Sequence, residues 1–245
     1  KSMPDGRLGS RKHQPKGLEI LYEDHDIIVV DKASGLLSMG TDRDKQNTAY
    51  YHLNNYVRKG NPRSHERVFI VHRLDRDTSG LLVFAKSENA KYFLQDNWSD
   101  FRKRYVAVVL GRFKDKEGVI ESFLAESKSF RVYSTADRTI GKYAKTGYWV
   151  VKETEMFSLL DIELFTGRKN QIRVHLADKG HPVLGDKVYG EPDKSIKRLA
   201  LHSYSLTIIH PYTHKEMTFE TGIPTYFNQL MNIKGSKPQQ RRSYP

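Results

Sequence analysis

The chain has no cysteine among its 245 residues, which excludes a disulfide framework, thiolate metal ligation and a cysteine nucleophile. That absence fits a reducing compartment, and a cytoplasmic location is expected. No apolar run approaches the roughly 18 residues needed to cross a bilayer, and none reads as a signal-peptide core, so no membrane partner is expected. Acidic residues are in short supply, 29 against 41 basic ones, leaving a net charge of +12 that points to a polyanionic partner. Much of the excess is terminal. Residues 1–16 carry Lys1, Arg7, Arg11, Lys12 and Lys16 against Asp5, and residues 231–245 carry Lys234, Lys237, Arg241 and Arg242 with no acid. Such segments either aid solubility or displace counterions from nucleic acid without any fixed geometry. What remains, 38% hydrophobic and 29% charged residues, describes a globular chain with enough core for one large domain or two small ones.

Residues 1–16 lack apolar periodicity and read as a basic arm or linker, and 233–245 as a basic tail. Between them, Gly17 to Lys32 reads as two strands around the turn Glu23-Asp24-His25-Asp26, the second strand apolar from Ile27 to Val30 and so covered on both faces. Thr48 is an N-cap candidate for a helix over 47–60, with Tyr51, Leu53 and Val57 as its apolar contacts. Phe69 to Val71 and Leu81 to Ala85 are short, apolar and β-branched or aromatic, hence strands. Ser87 caps a helix from Glu88 to about Ser99, and Arg102 to Gly111 is a strand entered through three basic residues. Lys142 to Lys152 and Phe157 to Phe165 form a hairpin. Thr166 to Gly180 is a turn feeding a helix that stops at a left-handed glycine. Leu199 to Ile209 and Glu216 to Glu220 form a last hairpin, and Pro224 opens a short helix. Short turns between strands and scattered helices predict an α+β fold, a mixed and largely antiparallel sheet with flanking helices.

Between the two central strands lies a dense polar insert, His72-Arg73-Leu74-Asp75-Arg76-Asp77-Thr78-Ser79-Gly80-Leu81. Charged groups pinned between core strands must be satisfied or used. This unbroken string resembles the signature of the RluA family of pseudouridine synthases, with Asp75 at the family's catalytic aspartate. Lys103-Arg104-Tyr105, leading into Val106 to Gly111, resembles the family's Lys-x-Tyr strand and places Tyr105 at its active-site tyrosine. Thr166-Gly-Arg-Lys-Asn-Gln-Ile-Arg-Val-His-Leu176 with Gly180-His-Pro-Val-Leu-Gly-Asp-Lys-Val-Tyr-Gly190 resembles its Gly-Arg-x-His-Gln-x-Arg motif and following loop. Arg198-Leu-Ala-Leu-His202 resembles an element lining the uracil pocket, which includes Leu201. The resemblance spans roughly 17–230 and implies a catalytic domain over 17–232.

Making pseudouridine breaks the bond from C1′ to N1, turns the uracil and rejoins it through C5. No atom is lost and no redox change occurs, so neither cofactor nor metal is required. Asp75 is suited to attack as a nucleophile, to stabilise positive charge on the ribose, or to abstract a sugar proton, and the residues do not choose among these. The resemblance makes Asp75, Tyr105 and Arg173 the catalytic set, with Arg173 as the guanidinium that keeps the carboxylate ionised. A stacked uridine must first be extruded. The resemblance gives Arg73 the place of the everted base, and gives phosphate or substrate contacts to Arg102, Lys103, Arg104, Arg168, Asn170 and Gln171. His72 reads as a packed structural residue. Asn170 departs from the family's histidine, which removes a proton role there and leaves a positioning one. No S4-type module is read in residues 1–16, which are too short for one, and whether such a module stands ahead of them is left open.

The expected partner is structured RNA, tRNA or rRNA, presenting a flipped-out uridine to a monomer. An inactive RNA-binding or chaperone protein on the same fold is the alternative. A glycosidase or nuclease pairing Asp75 with Asp77 ranks last, because no motif places a second acid.

Overall fold

The computed structural model describes residues 14–40 and 44–232; the expected basic segments at 1–13 and 233–245 lie outside the described residues. The last residues of the expected N-terminal arm are already tied down. Leu18 N donates to Pro15 O at 3.1 Å and Ile20 N donates to Gln14 Oε1 at 2.7 Å.

In chain order the first elements are β1 (Leu18–Glu23), β2 (Ile27–Lys32), α1 (Ala49–Val57), β3 (Phe69–Ile70), β4 (Ser79–Ala85) and α2 (Glu88–Asp96). They are followed by β5 (Arg102–Leu110), β6 (Glu117–Glu126), β7 (Val132–Thr135), β8 (Lys142–Glu153), β9 (Phe157–Leu164) and α3 (Gln171–Asp178). Last come β10 (Leu201–Ile209), β11 (Glu216–Glu220) and α4 (Thr225–Leu230). Two compact units emerge: the chain up to Arg102 with Ser205–Thr221, and Lys103–Tyr204 with the residues from Gly222 onward. Within each unit every named strand pair is antiparallel, so the expected antiparallel bias is observed; a parallel contact is the isolated bridge between Leu37 and Thr48.

In the first unit β4 pairs with both β2 and the short β3. All seven residues of β4 are buried, which is why that run is apolar without alternation. Ala90 and Leu94, one helical turn apart on α2, pack with Ile27, Val29, Leu81, Val83 and Ile208. The expected caps form: Tyr51 N donates to Thr48 Oγ1 and Ala90 N to Ser87 Oγ, each at 3.1 Å. Two expectations are corrected. Tyr51 points to solvent, and the buried residues of α1 are Ala49, Leu53 and Asn54. Asn54 is kept there by polar work, accepting from Val68 N at 3.1 Å and donating to Tyr50 O at 2.8 Å. Helix α2 stops at Asp96 rather than Ser99, because the Asn97 side chain donates to Phe93 O at 2.8 Å and draws the chain out of the helix.

In the second unit β5, β9, β8, β6 and β7 pair in that order. Strands β6 and β7 were not expected, because polar and glycine-containing residues 117–126 and the four-residue β7 show no clean alternation. Helix α3 packs on Leu124, Val132 and Ala144 through Val174. Its register is fixed by polar contacts as well: His175 Nδ1 lies 2.9 Å from Thr146 Oγ1 and Nε2 lies 3.0 Å from Ser122 Oγ.

Burial pushes His175 down to about 4, and burial with the nearby Arg198 charge pushes His202 down to about 3. Both rings are therefore neutral in the folded protein, whereas an unfolded histidine takes a proton near pH 6.5. As pH falls from about 6.5 toward 4 the unfolded chain binds more protons, so stability drops over that window. Urea midpoints measured at pH 7.5 and pH 5 should show this loss, and His175→Gln should lessen the difference between them.

Candidate active site

Asp75 lies half-buried in the loop between β3 and β4, where Thr78 N donates to its carbonyl at 3.2 Å and closes a turn over Arg76 and Asp77. The residues around it are fixed from the loop that follows β2. Lys32, fully buried at the end of β2, donates from Nζ to Leu36 O at 2.6 Å and to Ala33 O and Arg76 O at 3.0 Å. Gly35 N adds a second donor to Arg76 O at 2.8 Å, and Ser34 Oγ donates to Asp77 O at 2.7 Å. Before Asp75, Ser38 Oγ donates to Leu74 O at 2.8 Å and accepts from Leu74 N at 3.0 Å. The backbone on both sides of the carboxylate is thus held by hydrogen bonds, one set anchored on a buried ammonium. His72 has the structural role expected: Val83 N donates to Nε2 at 3.1 Å and its ring stacks on Trp98 at 4.1 Å. Arg73 is exposed and so is Asp77, so the proposed Asp75–Asp77 acid pair has no shared strand to align it.

In the second unit the pairing register decides which way each side chain of β5 faces. Tyr105 is opposite Ile162 and Ile162 is opposite Tyr148, so all three share a face with Thr146, two residues before Tyr148. Thr146 is the residue that α3 touches, accepting from Gln171 Nε2 at 2.9 Å. Tyr105 therefore looks toward the side of the sheet that bears α3 and Arg173. Arg104, one residue earlier, faces the opposite way and forms a buried ion pair with Asp161, which also accepts from Tyr204 Oη at 3.1 Å.

Arg173 is held as a fork. Nε donates to Asp186 Oδ2 at 2.7 Å, Nη2 to Asp186 Oδ1 at 2.8 Å, and Nη1 to Asn170 Oδ1 at 3.1 Å. Its guanidinium carbon lies 5.2 Å from the Tyr189 ring centroid, close enough for cation–π attraction. Burial disfavours the Asp186 charge, yet the bonds and charge of Arg173 and the N–H groups of Tyr189 and Val188 outweigh it and keep its pKa below the ordinary value. Gly185 allows a close approach of the backbone to Arg198: its φ is +76°, and a Cβ there would collide with Arg198 O. Asn170 sits at φ +53° ahead of α3, a left-handed position that asparagine tolerates, and its Nδ2 donates to Tyr189 Oη at 3.3 Å.

The remaining residues expected at the site divide sharply. Arg102 and Arg168 are exposed, and Arg168 Nε donates to Tyr143 O at 3.0 Å. Leu201 is buried at the start of β10. Three of these residues are buried. Gln171 is 2% exposed, donates to Lys145 O and Thr146 Oγ1, and accepts from Thr166 Oγ1 and Arg168 N. Its amide fixes the turn into α3. Lys103 and Arg104 are buried along with the rest of β5 through Val109, so of the three basic residues only Arg102 meets solvent. Sequence reasoning missed Lys32, Asp186 and Tyr189 as site-forming residues. A lysine closing a strand that is apolar from Ile27 to Val30, and an aspartate directly after a glycine in the matched loop, are the available signals.

A family model described as RNA pseudouridylate synthase matches residues 26–178. Curated relatives include the "Ribosomal large subunit pseudouridine synthase D" of Nitrosomonas europaea, 34% identical over 250 residues, covering 96% of this chain and 71% of that protein. The protein of the same name from Borreliella burgdorferi is 39% identical over 199 residues, covering 78% of this chain and 61% of the relative. Among solved structures, "Human RNA Pseudouridylate Synthase Domain Containing 4" shares the fold with a TM-score of 0.72 at 22% identity, over 87% of this chain and 91% of that one. No described helix is long and apolar enough to cross a membrane.

Removing one partner of a buried fork costs about 3–5 kcal/mol because the other charge is left behind. Asp186→Ala should therefore lower unfolding free energy by that order in urea titrations, with Asp186→Asn losing less because it keeps one acceptor.

Proposed function

The chain belongs to the RluA-like RNA pseudouridine synthases, a family of RNA isomerases, and from that premise we propose that it isomerises uridine in large-subunit ribosomal RNA with Asp75 as the catalytic carboxylate. The observation that carries the reading is the framed loop: the string matching the family signature has the backbone on either side of Asp75 fixed by Lys32, Gly35, Ser34 and Ser38. A carboxylate that must meet one ribose carbon gains from such a frame, because positioning costs no reorganisation when the substrate arrives. The names of the Nitrosomonas and Borreliella relatives support ribosomal RNA as the substrate.

The motifs assign the other roles. Tyr105 offers a flat face for the uracil, and Arg173, its orientation fixed by Asp186, supplies a permanent positive charge. Arg73, exposed within the Asp75 loop, is suited to stack where the everted base had been, since a guanidinium plane stacks on bases. Arg102 and Arg168 are the accessible cations for phosphates. Asn170 positions Arg173 and has no proton to exchange, in keeping with asparagine in the family's histidine position. Residues 17–232 constitute the catalytic region on this reading. The inactive-binder alternative leaves the framed carboxylate without a purpose, since an acid beside a polyanion weakens binding.

Asp75→Asn should leave no detectable pseudouridine after incubation with unmodified large-subunit ribosomal RNA, while the dissociation constant changes by about twofold or less. Nucleoside mass spectrometry and filter binding measure the two quantities. Turnover retained by Asp75→Asn rejects the assignment.

A further inference from the structure

The loop joining β6 to β7, residues 127–131, belongs to none of the matched motifs, and it carries a side chain that the folded protein does not use. Phe130 is 75% exposed. Its backbone lies at φ +62°, in the left-handed region that is strained for a residue with a bulky side chain. The turn around it is closed, with Phe130 N donating to Ser127 O and Ser127 N donating to Arg131 O, each at 2.9 Å. Arg131 N also donates to Ser127 Oγ at 3.2 Å. Glycine would fit this backbone without strain and without an apolar ring in water. A strained backbone and an exposed aromatic ring are both unfavourable for the isolated chain, so the reason for Phe130 is sought outside it.

The surroundings of the ring are cationic. Lys169 Nζ lies 5.7 Å from its centroid, donates to Phe130 O at 3.3 Å and pairs with Glu126. Lys128 and Arg131, two residues before Phe130 and one after it, are exposed, and Arg168 precedes Lys169 in the chain. The loop also abuts the Arg173 cluster through Tyr189, whose hydroxyl accepts from Val132 N at 3.1 Å. The Tyr189 ring centroid lies 5.4 Å from the Arg131 guanidinium and 5.2 Å from that of Arg173. An exposed aromatic face among cations, with Glu126 as an acid beside them, complements a nucleic acid strand, in which flat bases alternate with phosphates. An apolar protein partner would call for a contiguous apolar patch instead.

We propose that residues 127–131 form an RNA-contact loop in which Phe130 stacks on an unpaired base near the target uridine, while Lys128, Arg131 and Lys169 take phosphates. This rests on the RNA-substrate reading above and extends it to a surface the motifs do not reach. Aromatic stacking contributes about 1–3 kcal/mol per base, which corresponds to a loss of affinity of roughly 5- to 150-fold when the ring is removed.

The test uses the full chain, unmodified large-subunit ribosomal RNA transcripts and a short single-stranded oligoribonucleotide carrying 2-aminopurine. The wild type is expected to quench the 2-aminopurine on binding. Phe130→Leu, which keeps apolar bulk and removes the aromatic face, should abolish the quench and weaken binding about tenfold. Phe130→Gly should raise the melting temperature by relieving the left-handed strain and yet lose RNA affinity, a combination that a merely structural residue does not give. Replacing Lys128 and Arg131 together by Ala should reduce the slope of log Kd against log salt by about 0.7 for each cation removed. Tyr212→Ala, at an aromatic 77% exposed on the turn between β10 and β11, should change none of these. Wild-type affinity and quench in both Phe130 variants would overturn the loop assignment alone. Failure of the wild type to bind or modify any of the RNAs would overturn the RNA reading itself.

Discussion

A fully buried ammonium, that of Lys32, is the constraint on which the first unit's candidate site depends. Burying a lone ammonium costs several kcal/mol unless each of its N–H groups meets an acceptor. Lys32 meets that condition with three backbone carbonyls, Ala33, Leu36 and Arg76. Two of these belong to the loop leaving β2, and the third belongs to the turn that follows Asp75. A loop rich in charged residues would otherwise sample many conformations, and its ordering would oppose binding. Here the buried charge is met by backbone carbonyls, and these tie the turn after Asp75 to the loop leaving β2.

The second unit solves a similar problem with opposite charge. Asp186, its side chain completely buried, takes both ends of the Arg173 fork together with the N–H groups of Val188 and Tyr189. A bidentate pair fixes the plane of the guanidinium as well as its position. Gln171 and Asn170 complete the arrangement from within the matched motif, one by fixing the turn into α3 and the other by holding Nη1. Several residues of the matched motif thus hold one another in place, while Arg73, Arg102, Arg168 and Phe130 are exposed.

Much of this was readable in the chain, for physical reasons. Thr48 and Ser87 announce helix starts because a side-chain oxygen there accepts an otherwise unpaired N–H. Strand β4 reads as buried on both faces because no polar residue interrupts Leu81 to Ala85. Lys103 and Arg104 carry charges that a sequence alone sends to water, whereas both are buried within β5. Asp186 was quoted within its motif but not paired with Arg173, since partners 13 residues apart across a loop leave no periodic trace. Strands β6 and β7 escaped because their alternation is broken by Gly118 and by serines that bond to α3-side partners such as His175 and Asp178.

The claim that a buried ammonium frames the Asp75 loop is tested most directly by amide hydrogen exchange in Lys32→Met. The account predicts that the amides of Gly35, Leu74 and Thr78 exchange at least about tenfold faster than in the wild type, with the amides of β8 and β9 unchanged. Equal protection at Gly35, Leu74 and Thr78 in the two proteins would contradict it.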